Sequence, residues 1–263
     1  MLLEMIGFLR PLGSVAVGYS GGVDSSVVAA AAVQALGRKN VLAVTGNSGT
    51  LPARELQEAG LLAKKLGIPH AVISTAELDC DDFSQNRPDR CYFCKSELWR
   101  RVRALADERG LSSVVDGVNA DDLRDHRPGI RAGDELGVLH PLAAVGAGKN
   151  EVRELARQLS LPNWDKPAQA CLSSRFPYGE RITPEGLRRV ERAEELLRGL
   201  GFRELRVRSH GDVARIEVPQ QTLSDLADGG CRREVVNGLK KIGFRYVTLD
   251  LEGFRSGSMN EVL

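Results

Sequence analysis

Ser14-Val15-Ala16-Val17-Gly18-Tyr19 runs without a break into Ser20-Gly21-Gly22-Val23-Asp24-Ser25-Ser26. The first six residues read as a buried strand, and Asp24 to Leu36, rich in Ala and Val, as the helix that follows. Between them the glycines let the backbone turn sharply and bring N–H groups against an anion. The helix adds its positive N-terminal end. Ser20, Ser25 and Ser26 offer hydroxyl donors, and Asp24 can hold Mg²⁺ beside bound phosphates. The loop lacks the Gly-Lys-Ser/Thr of kinase-type P-loops and the Gly-x-Gly-x-x-Gly of dinucleotide folds. A Gly-rich turn capped by Asp or Ser is the competing reading. The complete heptad, placed directly after a strand, favours a phosphate loop.

Outward from this loop, apolar runs alternate with helical patterns. Val41–Thr45, His70–Ser74 and Ser113–Asp116 read as further strands. Helices are expected from Pro52 to about Leu66, from Cys94 to Arg109, and from a cap at Asn150 to about Leu159. Continuous apolar strands separated by helices predict an α/β fold with a doubly wound parallel sheet. After Pro162 the chain turns rich in Pro, Ser and Gly, a plausible crossing between domains. From Pro184 the order becomes helix 184–200, strand 203–209, strand 212–218, helix 230–242 and strand 244–250, with Gly211 at a hairpin turn. The expected domains are 1–177, the phosphate-loop domain, and 178–263, a smaller α+β domain.

The 263 residues carry 36 Lys+Arg against 35 Asp+Glu, a formal charge of +1. Residues 178–263 alone carry 15 against 14, so neither part is a basic module that neutralises many phosphates. A nucleic-acid partner is therefore not expected, and a small-molecule substrate is. No window approaches the ~20 apolar residues of a membrane span, and the first residues lack a basic region and cleavage site. A cytoplasmic protein is expected. Five cysteines are an odd number and too sparse for a disulfide scaffold. Cys91 and Cys94 form a Cys-x-x-Cys pair, which can ligate a metal, hold an iron–sulfur cluster, cycle as a disulfide, or be two ordinary thiols. Cys171 stands in a polar loop, while Cys80 and Cys231 lie in no motif and read as structural.

Ser20 to Ser26 resembles the loop of PP-loop ATP pyrophosphatases, which cleave ATP to AMP and pyrophosphate while adenylating an oxygen of a second substrate. Asp116-Gly-Val-Asn-Ala-Asp-Asp122, and Arg127-Pro-Gly129 leading to His140-Pro-Leu142, fit that family too, making Asn119 and Asp122 candidate ATP-site residues beside Ser20, Gly21, Gly22, Asp24, Ser25 and Ser26. An ordinary Asn/Asp-rich turn is the alternative there. With DRCYFCK (89–95), ACLSSRFPYG (170–179), HGDVARIEV (210–218) and GFRYVTLDLEGFRSGSMNE (243–261), the resemblance narrows to the LarE family and spans nearly the whole chain. Members are similar in being ATP-dependent sulfurtransferases of nickel-pincer nucleotide synthesis, turning carboxylates of a pyridinium mononucleotide into thiocarboxylates.

The resemblance implies Asp24, Cys171, Ser174 and Arg175 as catalytic residues and Lys95, Arg206 and Arg208 as substrate-binding ones. Arg206 and Arg208 alternate along a strand and share a face, which is otherwise simply a solvated one. Cys91, Cys94 and Cys171 match a form whose sulfur rides on a [4Fe–4S] cluster. In the sacrificial form a cysteine gives up its own sulfur. That cysteine aligns with Ala170, one residue before Cys171. Glu194, Glu217 and Asp225 match carboxylates associated with a divalent ion. Family members form homo-oligomers, so one is expected here. A PP-loop tRNA thiolase and a non-catalytic ATP-binding regulator are the competing functions.

Overall fold

Val15, Ala16 and Val17 are fully buried, and their alternation feeds two separate cores. Val15 and Val17 join one apolar cluster, and Ala16 joins another around Trp99, Val102 and Ala106. A strand buried on both faces needs helices on both sides, which is the doubly wound arrangement. A computed structural model of the chain describes residues 1–124, 128–167 and 169–255. It divides into two compact units, one of residues 1–80 with 89–169 and the other of residues 81–88 with 170–263. Arg127, Ala168 and the stretch from Ser256 to Glu261 lie outside the described residues.

In the first unit, β1 (Val15–Gly18), β2 (Val41–Asn47), β3 (His70–Ser74), β4 (Ser113–Val115) and β5 (Val138–Leu139) form one parallel sheet in the order β3-β2-β1-β4-β5. The order reverses between β1 and β4. There the connections leave to opposite sides and open a crevice beyond the carboxyl ends of the strands. The unit's helices are α1 (Leu2–Leu9), α2 (Val23–Leu36), α3 (Ala53–Leu66), α5 (Arg90–Glu108), α6 (Pro128–Glu135), α7 (Pro141–Ala144) and α8 (Lys149–Gln158). Eight of the fourteen residues of α2 are buried, on every side, because it packs between β1 and the helices α1 and α8.

The sequence placed the first four strands correctly. Two helix starts differ. The cap of α8 is Gly148, not Asn150: Glu151 reaches back to accept from the Gly148 N–H at 3.1 Å. Helix α5 begins at Arg90, so Cys91 and Cys94 lie one turn apart inside it rather than ahead of it.

The second unit contains α4 (Asp81–Ser84), α9 (Pro184–Gly199), α10 (Leu223–Ala227) and α11 (Gly229–Ile242), with β6 (Arg206–His210), β7 (Val213–Glu217) and β8 (Tyr246–Leu249). Thr183 caps α9, its hydroxyl accepting from Gly186 N at 3.0 Å, and Pro184 follows as the first helical residue. Strands β6 and β7 pair antiparallel around Gly211 (φ +58°), and β7 pairs parallel with β8. Val207, Ala214 and Ile216 point into an apolar core with Leu197, Leu239 and Phe244, which leaves the Arg206–Arg208 face for polar contacts.

Candidate functional site

The phosphate loop lies at the switch point, between the end of β1 and α2. Gly21 has φ +71°, and a Cβ there would stand 2.9 Å from the backbone Cα of Ala59 on α3, so only glycine fits. Ser20 and Ser25 hydroxyls meet at 3.2 Å, and Ser20 Oγ accepts from Gly22 N at 3.3 Å. These bonds shape the loop. Gly22 caps α2 without any side-chain cap, so the first N–H groups of the helix are open to an anion.

The turn after β4 closes on this loop from the other side of the switch point. Asn119 donates from Nδ2 to Asp24 Oδ1 at 2.8 Å, while its own Oδ1 accepts from the N–H groups of Asp121 and Asp122. Asp122 is buried and its Oδ2 accepts from Asn119 N at 3.3 Å. Gly117 packs so closely that a Cβ would lie 2.8 Å from Ser25 N. Asn119, Asp122 and Asp24, ninety-odd residues apart, thus form one constellation.

One residue without a sequence signal braces the loop, and a second pairs with α3. Asn163 donates to Gly21 O and to Ser26 Oγ, both at 3.1 Å, and so holds the loop from outside. Lys166 pairs with Glu55 at 2.7 Å and Glu58 at 3.0 Å on α3. Burial opposes the Lys166 charge, but the two carboxylates outweigh it and its pKa is raised. A lone Asn in a polar loop carries no periodicity or spacing by which to find it.

Elsewhere in this unit, Lys95 is exposed, with Nζ 5.4 Å from the centroid of the Trp99 ring. Cys91 is exposed and Cys94 half-buried, with Cys94 Sγ 4.0 Å from Oε1 of the buried Glu77. Cys171 belongs to the second unit and is exposed. Among the described residues, no three His, Cys, Asp or Glu side chains converge in a metal-binding group.

The second unit gathers Ser174, Arg175, Arg206 and Arg208 around the Cys171 turn. Arg175 is 1% exposed; its Nη1 donates to the carbonyls of Ala170 and Cys171 and to Ser174 Oγ, at 2.8 to 3.0 Å. Its Nε and Nη2 grip Glu194 bidentately at 2.8 and 3.0 Å. Arg208 grips Glu217 in the same way, and its Nη1 donates to Ser174 O at 2.7 Å. The strand face is not solvated: Arg206 and Arg208 are buried. Arg206 makes no ion pair among the described residues; Nη1 donates to Leu205 O and the guanidinium lies 5.0 Å from the Phe254 ring centroid. Burial, aided by the charges of Arg175, Arg208 and Arg198, lowers its pKa to about 10 against the opposing pull of Glu194. A buried guanidinium without an ion pair is suited to an incoming anion.

Glu194 and Glu217 are therefore occupied by arginines, while Asp225 is exposed on α10.

Comparison with known proteins agrees with this geometry. The NAD synthase family model matches residues 9–175, which covers the sheet and its phosphate loop. A pyridinium-3,5-bisthiocarboxylic acid mononucleotide synthase of Lactiplantibacillus plantarum is 41% identical over 98% of this chain and 93% of its own length. The chain belongs to the LarE family. An uncharacterized protein of Synechocystis sp. is 48% identical over 97% of the chain and 95% of its own length. An NH(3)-dependent NAD(+) synthetase of Chlorobaculum tepidum is 33% identical over 61% of the chain and 58% of its own length. LarE-family synthases, which are ATP-dependent sulfurtransferases, thus share with NAD synthases the phosphate-loop part of the chain, whereas the LarE match continues through the Arg206/Arg208 region.

Proposed function

We propose that the chain catalyses ATP-dependent sulfur transfer to pyridinium-3,5-biscarboxylic acid mononucleotide through an acyl-adenylate. The observation that carries this reading is the Asn119–Asp24 contact, which joins the two sides of the switch point at the phosphate loop. A carboxylate is a poor electrophile, because resonance stabilises its carbonyl and the leaving group would be oxide. Its oxygen attacks the α-phosphorus of ATP, and pyrophosphate leaves into the N–H groups of Gly21–Ser26. Asp24, a hard oxygen donor at the same helix end, suits Mg²⁺, which offsets phosphate charge when bound. A sulfur nucleophile then adds to the acyl carbon and AMP departs. Lys95, Arg206 and Arg208 are the proposed anchors of the substrate's phosphate and carboxylates, with Ser174 and Arg175 orienting the Cys171 turn.

For the sulfur source, Cys91, Cys94 and Cys171 would be the ligands of a [4Fe–4S] cluster. Cys91 and Cys94 lie one helical turn apart, a spacing that suits a pair of cluster ligands. With three protein thiolates as ligands, such a cluster would supply the sulfide for transfer. The exposure of Cys171, with its carbonyl fixed by Arg175 and its side chain outward, supports a second reading in which Cys171 is the sacrificed donor.

The test is pyrophosphate release with the biscarboxylate mononucleotide, run beside anaerobic iron and sulfide analysis. Asp24→Ala is expected to abolish release; unchanged release would remove the loop from the mechanism. Near four iron and four sulfide per chain, lost in Cys91→Ala, identifies the cluster (about four, from the cluster's composition). Its absence, with a loss of about 34 Da from Cys171 after turnover, identifies sacrifice, since thiol sulfur leaves as the elements of hydrogen sulfide.

A further inference from the structure

His140 is the residue that follows β5, and the register places it beside Asp116 at the end of β4: Val114 pairs with Val138 and Val115 with Leu139. Its Nδ1 lies 2.7 Å from Asp116 Oδ1, and its Nε2 lies 3.0 Å from Asp134 Oδ1 on α6. A neutral imidazole has one N–H and one lone pair, and the lone pair would then face a carboxylate oxygen. Only the imidazolium donates in both directions.

Asp116 leads directly into the nucleotide-side turn. The same Oδ1 that meets His140 also accepts from Val118 N at 3.0 Å. The turn is stitched further by Ala143 N to Val118 O and Ala120 N to Ala147 O, at 3.2 and 2.8 Å. One residue beyond Val118 stands Asn119, which reaches Asp24. We infer that His140, clamped as an imidazolium between Asp116 and Asp134, is the positioning residue that sets the Asp116–Asp122 turn against the phosphate loop and couples nucleotide affinity to pH. The inference rests on the nucleotide reading of that loop.

Among the described residues, Asp116 from the end of β4 and Asp134 from α6 are the charged groups that face the ring. Burial of the ring disfavours its charge, yet the hydrogen bonds and charges of the two carboxylates raise its pKa from 6.5 to about 9. With the folded pKa above the unfolded one, the clamp is intact at neutral pH and is lost as pH rises through about 9.

The experiment uses the full chain and α,β-methylene-ATP with Mg²⁺, titrated calorimetrically from pH 7 to 10. In parallel, NMR follows the His140 ring and the Asn119 side-chain amide. In the wild type, affinity is expected to be level to pH 8 and about tenfold weaker at pH 10, the loss of one hydrogen bond's net worth. His140→Gln is expected to bind about tenfold more weakly at pH 7 and to lose the pH dependence. Asp134→Asn, a change at an exposed side chain, removes one of the two carboxylates and is expected to lower the His140 midpoint and the affinity midpoint together, by about one pH unit. Wild-type affinity and profile in His140→Gln, or an unmoved affinity midpoint in Asp134→Asn despite a shifted ring titration, overturns the inference. If the wild type binds no nucleotide, the nucleotide reading falls. The Asn119 amide then decides the positioning alone: tracking the His140 titration supports it, and standing still refutes it.

Discussion

Glu194→Gln tests whether the buried carboxylate of the second unit is a structural counter-ion rather than a metal ligand. Four donors converge on it: Arg175 Nε and Val207 N on Oε1, and Arg175 Nη2 and Arg198 Nη2 on Oε2, at 2.8 to 3.2 Å. An amide has one oxygen and one NH₂ group, so either orientation turns two of these donors toward another donor. Two charge-assisted bonds are lost at roughly 1.5–3 kcal/mol each, and Arg175, 1% exposed, keeps an uncompensated charge. The expected loss is about 3–5 kcal/mol, a large part of the 5–15 kcal/mol typical of a domain. Hydrogen exchange of β6 and α9 amides, read with urea denaturation followed by circular dichroism, measures it. Glu194→Gln/Arg175→Met should recover part of the loss, because an uncharged side chain replaces the stranded guanidinium.

The acid response supplies an independent check on the same group. Burial pushes the Glu194 pKa upward, but Arg175, followed by Arg198 and Arg206, more than offsets this and holds it below the ordinary carboxylate value. A depressed folded pKa means stability that is present above the unfolded value, near ~4.3, and lost as pH falls through the folded one. The variant should lack that acid-labile component. A loss under about 1 kcal/mol, or a double variant no more stable than the single one, would refute the counter-ion role. Stability that depends on a divalent ion in the wild type and not in Glu194→Gln would favour the metal role instead.

Two changes at the phosphate loop probe its shape. Gly21→Ala forces an L-residue to φ +71° and a Cβ to 2.9 Å from Ala59 Cα, so it should cost at least about 1–2 kcal/mol for the backbone alone. A lower melting temperature with weakened ATP binding is the expected outcome, and an unchanged melt would contradict the close approach. Asn163→Ala removes the donor to Gly21 O and Ser26 Oγ, and should lose about 1–3 kcal/mol by denaturant midpoint together with nucleotide affinity. Stability lost with affinity intact would confine Asn163 to a packing role.

What could be read from sequence follows from how local each signal is. The first strand and its loop were legible because thirteen consecutive residues carry the apolar run, the turn glycines and the helix start. β5 was not, since two paired residues, Val138 and Leu139, give no measurable alternation. Its omission hid the partner of His140, whose place beside Asp116 exists only through the β4–β5 register. Arg206 and Arg208 were correctly assigned to one face, but a face of alternating arginines reads as solvated until its partners are known. Those partners come from the hairpin, where Arg206 lies opposite Glu217 and Arg208 opposite Arg215, and from Glu194 on α9. The hairpin register, inferable from Gly211, sets Arg206 and not Arg208 opposite Glu217, so the diagonal Arg208–Glu217 pair was not announced by it; nor was the Arg175–Glu194 pair, made across two elements without a shared ladder. Residues 81–88 show the same limit. They join the second unit because Asn86, at φ +55°, donates to the carbonyls of Phe176 and Pro177 and accepts from Gly179 N. Nothing in an eight-residue polar stretch announces bonds made ninety residues away. Around Cys171 the motif marks a candidate residue, and only the fold shows the Arg175 and Arg208 bonds that hold its turn.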